Sequence, residues 1–287
     1  MTIMEKETFY EYPPETLQKI KDLELMILKE FIRICEENHI TYFLDGGTAL
    51  GAIRHEGFIP WDDDIDVIML REDYEKLQEV MKDYKSDRFE FLSKNTKEYY
   101  CRNFSELNLK GTYTERFYNS ENTDFELGIS IDIFVLDNIP DSKLARKLFN
   151  LRYKLFRLLL ISYEISFNDM YVSETKQKIG RTIRSIYRLL NIDNDFVKRQ
   201  GDKLIESTMK KETRDVANLS TPYSTLNIVP RDIFKPAKKV KFEDLTVNVP
   251  KDYDTYLTGI YGDYMTLPPV EDRVNHSFAK IDFGEYK

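Results

Sequence analysis

Cysteine and histidine are scarce in this sequence. Two Cys (Cys35 and Cys101) and three His among 287 residues exclude a disulfide framework and make a Cys/His zinc cluster improbable. At most one isolated bridge could form. An excess of basic charge is also missing. Lys+Arg total 42 against 50 Asp+Glu, a net charge of −8. That argues against a general nucleic-acid binder, whose affinity rests on cations, but leaves room for a local basic face. Long apolar runs are absent too. The longest uncharged stretch, residues 216–230, contains Asn, Ser, Thr and two Pro. A membrane span needs about 20 mostly apolar residues. The opening MTIMEKETFYEYPPE is acidic and has no apolar centre, unlike a secretory signal. The expectation is a reduced, cytoplasmic protein that binds no nucleic acid.

With 41% hydrophobic and 32% charged residues, the chain can bury a sizeable core. Apolar residues at helical spacing predict a helix over 15–38. A β-prone run at 41–44 stops at Asp45-Gly46-Gly47, after which Thr48 is placed to cap a short helix over 49–54. A loop containing Gly57 and Pro60 leads to a strand over 64–70, followed by a helix over 71–84. Residues 88–136 read as β-rich, which gives a mixed α/β (α+β) sheet with flanking helices. Residues 141–212 then read as two or three helices. Within 141–190 there are 11 Lys/Arg against 4 Asp/Glu, while the rest of the chain carries 31 against 46. The organisation expected is a catalytic core over 1–140, a basic helical insertion over 141–212, and a segment over 213–287 that completes the core and the substrate site. Strand-like runs, a short helix at 253–261 and a polar tail make up that last segment.

The informative stretch is DGGTALGAIRHEGFIPWDDDIDVIML, residues 45–70. Strand side chains alternate, so Asp64 and Asp66 share one face, and Asp62 joins them if the strand extends backward. Carboxylates crowded on one face repel unless a divalent cation lies between them. Mg²⁺ (or Mn²⁺) takes oxygen ligands, commonly one or two carboxylates plus substrate phosphates. A Gly-Gly turn feeding a helix lets backbone N–H groups approach a phosphate. Together these suggest phosphoryl or nucleotidyl transfer. Acidic clusters are more often solvated loops, but here Ile65, Val67 and Ile68 set the acids in core-like phase. Asp132, between Ile131 and Ile133, is a third acid in an apolar strand. It could be a satisfied core acid, bind a second metal or accept a proton from an attacking hydroxyl. Asp137 reads as the start of a turn.

The block GGTALGAIRHEGFIPWDDDIDV resembles the signature of the LicD family, the phosphocholine transferases of bacterial surface glycans. The resemblance continues in GISIDIFVLDNIP and in VKFEDLTVNVPKDYDTYLTGIYGDYMTLPP, followed by His276. It implies a nucleotidyltransferase-type fold with Gly46-Gly47 as the phosphate turn. Asp64 and Asp66 match the paired metal ligands, and Asp132 matches the third carboxylate. The implied reaction moves phosphocholine from CDP-choline to a sugar hydroxyl of a glycan or lipid-linked glycan, of teichoic acid or lipopolysaccharide type, and releases CMP. Related enzymes of the wider family transfer polyol or sugar phosphates, so phosphoethanolamine, a polyol phosphate or a nucleotide are alternative groups. The non-enzyme alternative is an inactive nucleotide- or glycan-binding adaptor. One departure stands out. In FSELNLKGT, many members carry basic residues where this chain has Glu106 and Asn108, and Lys110 is the nearby cation that could compensate.

Other candidates are weighed against plain structural roles. Arg54 suits a phosphate fork, or is a helix-end cation. His55, Thr48, Arg273 and His276 are placed to contact the donor phosphates, or belong to loops and a surface tail. Trp61 could stack on a base or on choline, though a core role is commoner. A quaternary ammonium needs an aromatic cage, for which Tyr99, Tyr100, Tyr113 and Phe117 are available. Arg146, Lys147, Arg152, Lys154, Arg157, Arg181, Arg184 and Arg188 alternate with Leu, Phe and Ile. Such helices can lie on an anionic membrane surface, here the inner face of the membrane, or present solvated faces over an ordinary core.

Overall fold

The computed structural model describes residues 12–96, 104–116, 127–167, 174–209, 211–220, 227–273, 275 and 278–286. Helix α1 (Pro14–Glu37) begins with Pro in its first turn, where the missing N–H costs nothing. Strand β1 (Phe43–Leu44) and helix α2 (Gly46–His55) follow, then β2 (Asp66–Leu70) and α3 (Arg71–Lys82). The β-rich stretch contains β3 (Phe89–Leu92), β4 (Ser105–Leu109), β5 (Tyr113–Arg116) and β6 (Ser130–Ile139). Three helices come next: α4 (Lys143–Phe167), α5 (Glu174–Leu189) and α6 (Asn194–Met209). The chain ends with β7 (Asp215–Asn218), β8 (Ile228–Pro230), β9 (Lys238–Phe242), β10 (Leu245–Val249), α7 (Tyr253–Tyr261) and β11 (Phe278–Asp282).

The main sheet has the order β1-β2-β6-β4-β3, with β7 and β8 extending it beside β6. The β2–β6 pairing is parallel and the other pairings in this sheet are antiparallel. The fold is therefore a mixed α+β sheet with flanking helices. Ile65, Val67–Leu70, Ile131, Ile133 and Val135 are all buried in one core with α1 and α3. A second cluster joins Phe149, Tyr153 and Phe156 of α4 to Val197 and Leu204 of α6 and to Ile139, Ala217 and Leu219.

Several expectations need correction. The sequence puts a cap at Thr48, but α2 starts at Gly46. Its cap is Asp45, whose carboxylate accepts the Gly46 N–H at 2.7 Å. Gly46 adopts φ +48°, a left-handed conformation that glycine tolerates best, so the helix begins one turn early. Strand β2 starts at Asp66 rather than residue 64. The polar tail contains β11, which pairs antiparallel with β5. Asp137 does not start a turn. It lies within β6, buried, and accepts from Arg71 Nε at 2.7 Å and from Nη2 at 2.6 Å.

The Arg71–Asp137 pair is almost dry, with 9% and 4% of the side chains exposed. Removing one partner of such a pair leaves a buried charge uncompensated and costs about 3–5 kcal/mol, whereas apolar replacement of both is often neutral. Arg71→Ala is therefore expected to lower the urea midpoint strongly. Combining Arg71→Met with Asp137→Leu should recover most of the loss, as chemical denaturation would show.

Candidate active site

Register decides which carboxylates meet. Asp66 on β2 is the direct partner of Asp132 on β6, and Asp132 is the direct partner of Glu106 on β4. The Asp45 N–H donates to the Asp66 carbonyl at 2.9 Å, continuing the β1–β2 ladder by one residue. Directly opposed residues project to the same face of a sheet. Asp45, Asp66, Asp132 and Glu106 thus form a row of acids across four strand positions. The other face carries Val67, Ile133 and Ser105, with Ser105 Oγ 2.6 Å from the Tyr74 hydroxyl of α3.

Helix α2 starts directly against this row. A Cβ on Gly46 would lie 3.5 Å from Asp66 Oδ2 and 3.6 Å from the Tyr261 hydroxyl. A Cβ on Gly47 would lie 2.6 Å from Asp62 Oδ2, a severe clash. At Gly47 a side chain would force Asp62 to shift, and at Gly46 the left-handed φ of +48°, rather than lack of space, favours glycine. Thr48 serves the same junction, because its hydroxyl accepts the Asp66 N–H at 2.8 Å. Gly46, Gly47 and Thr48 are thus the first turn of a helix rather than a turn before one.

The segment 59–64 is held from beneath by α1. The Lys21 ammonium donates to the Ile59 and Pro60 carbonyls, each at 3.0 Å. Burial lowers the Lys21 pKa, and Asp62 and Glu24 work in the opposite direction. Glu24, only 2% exposed, is the surprise of this helix. Burial raises its pKa well above the ordinary carboxylate range, reinforced by Asp64, Asp63, Asp62 and Asp66. Asp63 is buried and accepts from the Tyr12 hydroxyl, which in turn accepts the Phe278 N–H of β11 at 2.7 Å.

Cations gather on the opposite flank. Arg54 Nη1 donates to the Tyr264 carbonyl at 2.7 Å, and its Nε donates to His55 Nε2 at 3.0 Å. Burial lowers the Arg54 pKa, opposed by Tyr261 and assisted by Arg273. The His55 pKa is lowered by burial, then by Arg54 and Lys21. The Arg273 guanidinium lies 4.7 Å over the Trp61 ring, so Trp61, half-buried against the core, already holds a cation on one face. Tyr261 connects the two flanks. Burial pushes its hydroxyl pKa up, with contributions from Asp45, Asp66, Asp62 and Asp64.

The structure thus brings Asp62 and Asp66 to the start of α2 and pairs Asp66 with Asp132, with Asp64 two residues before Asp66, while Arg54 and His55 lie in the last turn of α2 and Arg273 lies over Trp61. His276, Tyr99, Tyr100 and Phe117 lie outside the described residues. Tyr113, on β5, carries the Lys280 ammonium 5.4 Å over its ring. Lys110 does not compensate for the missing cations, since its ammonium is engaged with the Ser86 carbonyl at 2.7 Å, four residues along the chain from Glu106. Asn108 is likewise committed, accepting the Gly128 N–H at 2.9 Å. Five participants escape a reading of the sequence: Asp45, Glu24, Lys21, Glu106 as a member of the row, and Tyr261. For Lys21 and Glu24 a signal exists. They share the buried side of α1 with Ile20, Ile27 and Phe31.

The acids supply only oxygen donors, which suits a hard cation such as Mg²⁺ or Mn²⁺. Among the described residues, no three His, Cys, Asp or Glu side chains converge as a ready-made metal cage. A cation here would rest on one or two carboxylates and complete its shell with water and substrate oxygens, as Mg²⁺ commonly does.

Residues 39–144 match the family model described as LicD/FKTN/FKRP, nucleotidyltransferase domain. Over this segment the chain is similar to the LicD family. Over 276 residues it is 28% identical to the lipopolysaccharide cholinephosphotransferase LicD of Haemophilus influenzae, covering 91% of this chain and 96% of that protein. Shorter similarities reach uncharacterised proteins of Rickettsia prowazekii (40% over 55 residues, 21% of that protein) and Rickettsia typhi (37% over 59 residues, 19% of that protein). Among the described residues, no helix is long and apolar enough to cross a membrane.

The buried Glu24 makes a pH-dependent prediction. Its folded pKa lies above the reference value of 4.5. The stability it contributes is therefore complete below pH about 4.5 and is lost as pH rises toward the folded value. Glu24→Gln removes that loss. In metal-free buffer the variant should gain stability relative to the parent between pH 5 and 8, with the two curves converging near pH 4. Parallel curves across that range would contradict the placement of Glu24 among the acids.

Proposed function

We propose that this protein transfers phosphocholine from CDP-choline to a sugar hydroxyl of a bacterial cell-surface glycan. The acceptor is of lipopolysaccharide or teichoic acid type, free or lipid-linked, and CMP is released. The observation that carries this reading is the register of Asp66 with Asp132 beside the glycine-opened start of α2. That site lies in a chain matching a lipopolysaccharide cholinephosphotransferase along nearly its whole length.

The chemistry follows from the charge layout. The N-terminus of α2, whose Gly46 N–H is already taken by Asp45, favours phosphate oxygens through its other N–H groups and dipole. Arg54, from the last turn of α2, and Arg273, over Trp61, provide positive charge on the opposite flank. One or two of Asp64, Asp66 and Asp132, with Asp62 near them, would hold Mg²⁺ or Mn²⁺, which would supply charge neutralisation on the pyrophosphate. The sugar oxygen attacks the choline-bearing phosphorus, an O–P bond forms, and the P–O bond to CMP breaks. The hydroxyl proton passes to a carboxylate, and Asp132, half-exposed at the centre of the row, is the residue assigned to receive it. Catalysis is positioning plus electrostatic stabilisation, as in other phosphoryl transfers. Glu106 favours choline over a neutral polyol in this scheme, since an added carboxylate beside Asp132 attracts a cationic substituent.

Asp66→Asn and Asp132→Asn should each reduce CMP release from CDP-choline by about three orders of magnitude or more, with the thermal midpoint close to the parent's. The assay should include CDP-ethanolamine, a CDP-polyol and a nucleoside triphosphate as donors. CMP formed with CDP-choline and acceptor supports the proposal. Pyrophosphate release from the triphosphate would assign the same site to nucleotidyl transfer. Turnover in both Asn variants near the parental level would remove the carboxylates from the mechanism.

A further inference from the structure

Helix α4 has two apolar faces, and among the described residues only one is covered. Phe149, Tyr153, Phe156 and Leu160 point into the second core cluster. Leu144, Leu148, Leu151, Leu155 and Leu158 form the other face and are between 55% and 79% exposed. Their spacing of four and three residues makes a straight stripe about 21 Å long. Further exposed apolar residues, Ile179, Ile186 and Leu190, occur on and just after α5, which packs against α4. Soluble proteins seldom leave a contiguous apolar strip of this length facing water.

Charge identifies the occupant. On the helical wheel Lys143, Lys147 and Lys154 border one side of the stripe and Arg152 the other, and all four are exposed. Residues 143–163 contain no Asp or Glu. Two cations of the same helix are used elsewhere. Arg146 pairs with Asp215 at 2.7 Å, and Arg157 is buried, so neither belongs to this surface. A second copy of the chain would bring one lysine border against another with no acid between them. An anionic lipid surface satisfies both features, with leucines entering the acyl boundary and lysines reaching lipid phosphates. We propose that α4 docks by its leucine stripe onto an anionic membrane leaflet. This docking is independent of the group the active site transfers.

The test is flotation of the full-length protein with vesicles of pure phosphatidylcholine or with one-third phosphatidylglycerol. Binding to the anionic vesicles at low salt is expected, with at least tenfold weaker partition on pure phosphatidylcholine or at about 0.3 M salt. Leu148→Ser combined with Leu155→Ser should lower partition at least tenfold, because each buried leucine is worth about that much. Its circular dichroism and thermal midpoint should match the parent's, since both positions are exposed. Lys147→Glu with Lys154→Glu should lower partition about twentyfold, near fivefold per cation. Absence of binding to anionic vesicles at low salt would overturn the proposal. So would binding that survives the serine pair, which would be adsorption by charge alone. A dimer in sedimentation equilibrium that the serine pair dissolves, without vesicle binding, would assign the stripe to a second copy.

Discussion

Asp66 and Asp132 stand side by side because β2 and β6 run parallel with these residues in register. Neighbouring strands lie about 4.8 Å apart, and two bare carboxylates at such a spacing repel by about 3 kcal/mol at an effective dielectric near 20. The four residue pairs that follow, from Val67 with Ile133 to Leu70 with Leu136, are almost wholly apolar and hold the register against that repulsion. A slip of one residue would exchange the side chains that β2 presents to its two buried faces and force both to repack, so the acids cannot separate without disturbing the core. Neighbouring interactions strengthen the same point. Thr48 takes the Asp66 N–H, and Asp45 extends the ladder while capping α2, so the pairing also fixes where the helix N-terminus lies.

Both ends of the described chain converge on this centre. Tyr12 joins the Phe278 N–H to the Asp63 carboxylate, tying the entry to α1 and the start of β11 to the segment that leads into β2. The C-terminal stretch supplies Tyr261 beside the acids, the Tyr264 carbonyl for Arg54, and Arg273 over Trp61. The result is a separation of charge over a short distance, with carboxylates along the strand ends and guanidinium groups beyond the start of α2. A substituted pyrophosphate is built the same way when its oxygens face cations and its metal or cationic substituent faces acids. That match links the geometry to group transfer and gives a role to residues far apart in the sequence.

Periodicity made α1, α3, the three consecutive helices and α7 legible, because apolar spacing is local information. Alternation put Asp64 and Asp66 on one face but could not say which strand lies beside them. The meeting of Asp66, Asp132 and Glu106 depends on pairing between segments up to 66 residues apart, which no local pattern encodes. The same limit hid β11, a short polar strand that exists because β5 offers a partner. Asp137 was read as a turn because its buried partner, Arg71, is supplied by another element. Lys21 and Glu24 were legible in principle, as charges in the buried phase of an otherwise ordinary amphipathic helix. Gly46-Gly47 reads from the sequence as a phosphate-approaching turn before a helix, whereas the structure puts both glycines inside the first turn of α2, with Gly46 left-handed.

A helix with apolar residues on two faces gives one periodic signal, so the sequence of α4 cannot say which face is inward. Size settles it: the face with Phe149, Tyr153 and Phe156 buries larger side chains than the leucine stripe could, and it wins the contact with α6. The leucines are left outward by that competition. The helical block is attached to the sheet through β6, where the Asn138 amide donates to the Thr208 carbonyl and Arg146 bonds Asp215 of β7. Strand β6 therefore carries Asp132 near one end and the helical block at the other. The seven residue steps from Asp132 to Ile139 span about 23 Å. A rigid strand of that length would hold the carboxylate row at a fixed height above any surface on which α4 rests. An acceptor carried on a lipid would then meet the site at a distance set by the sheet rather than by diffusion alone.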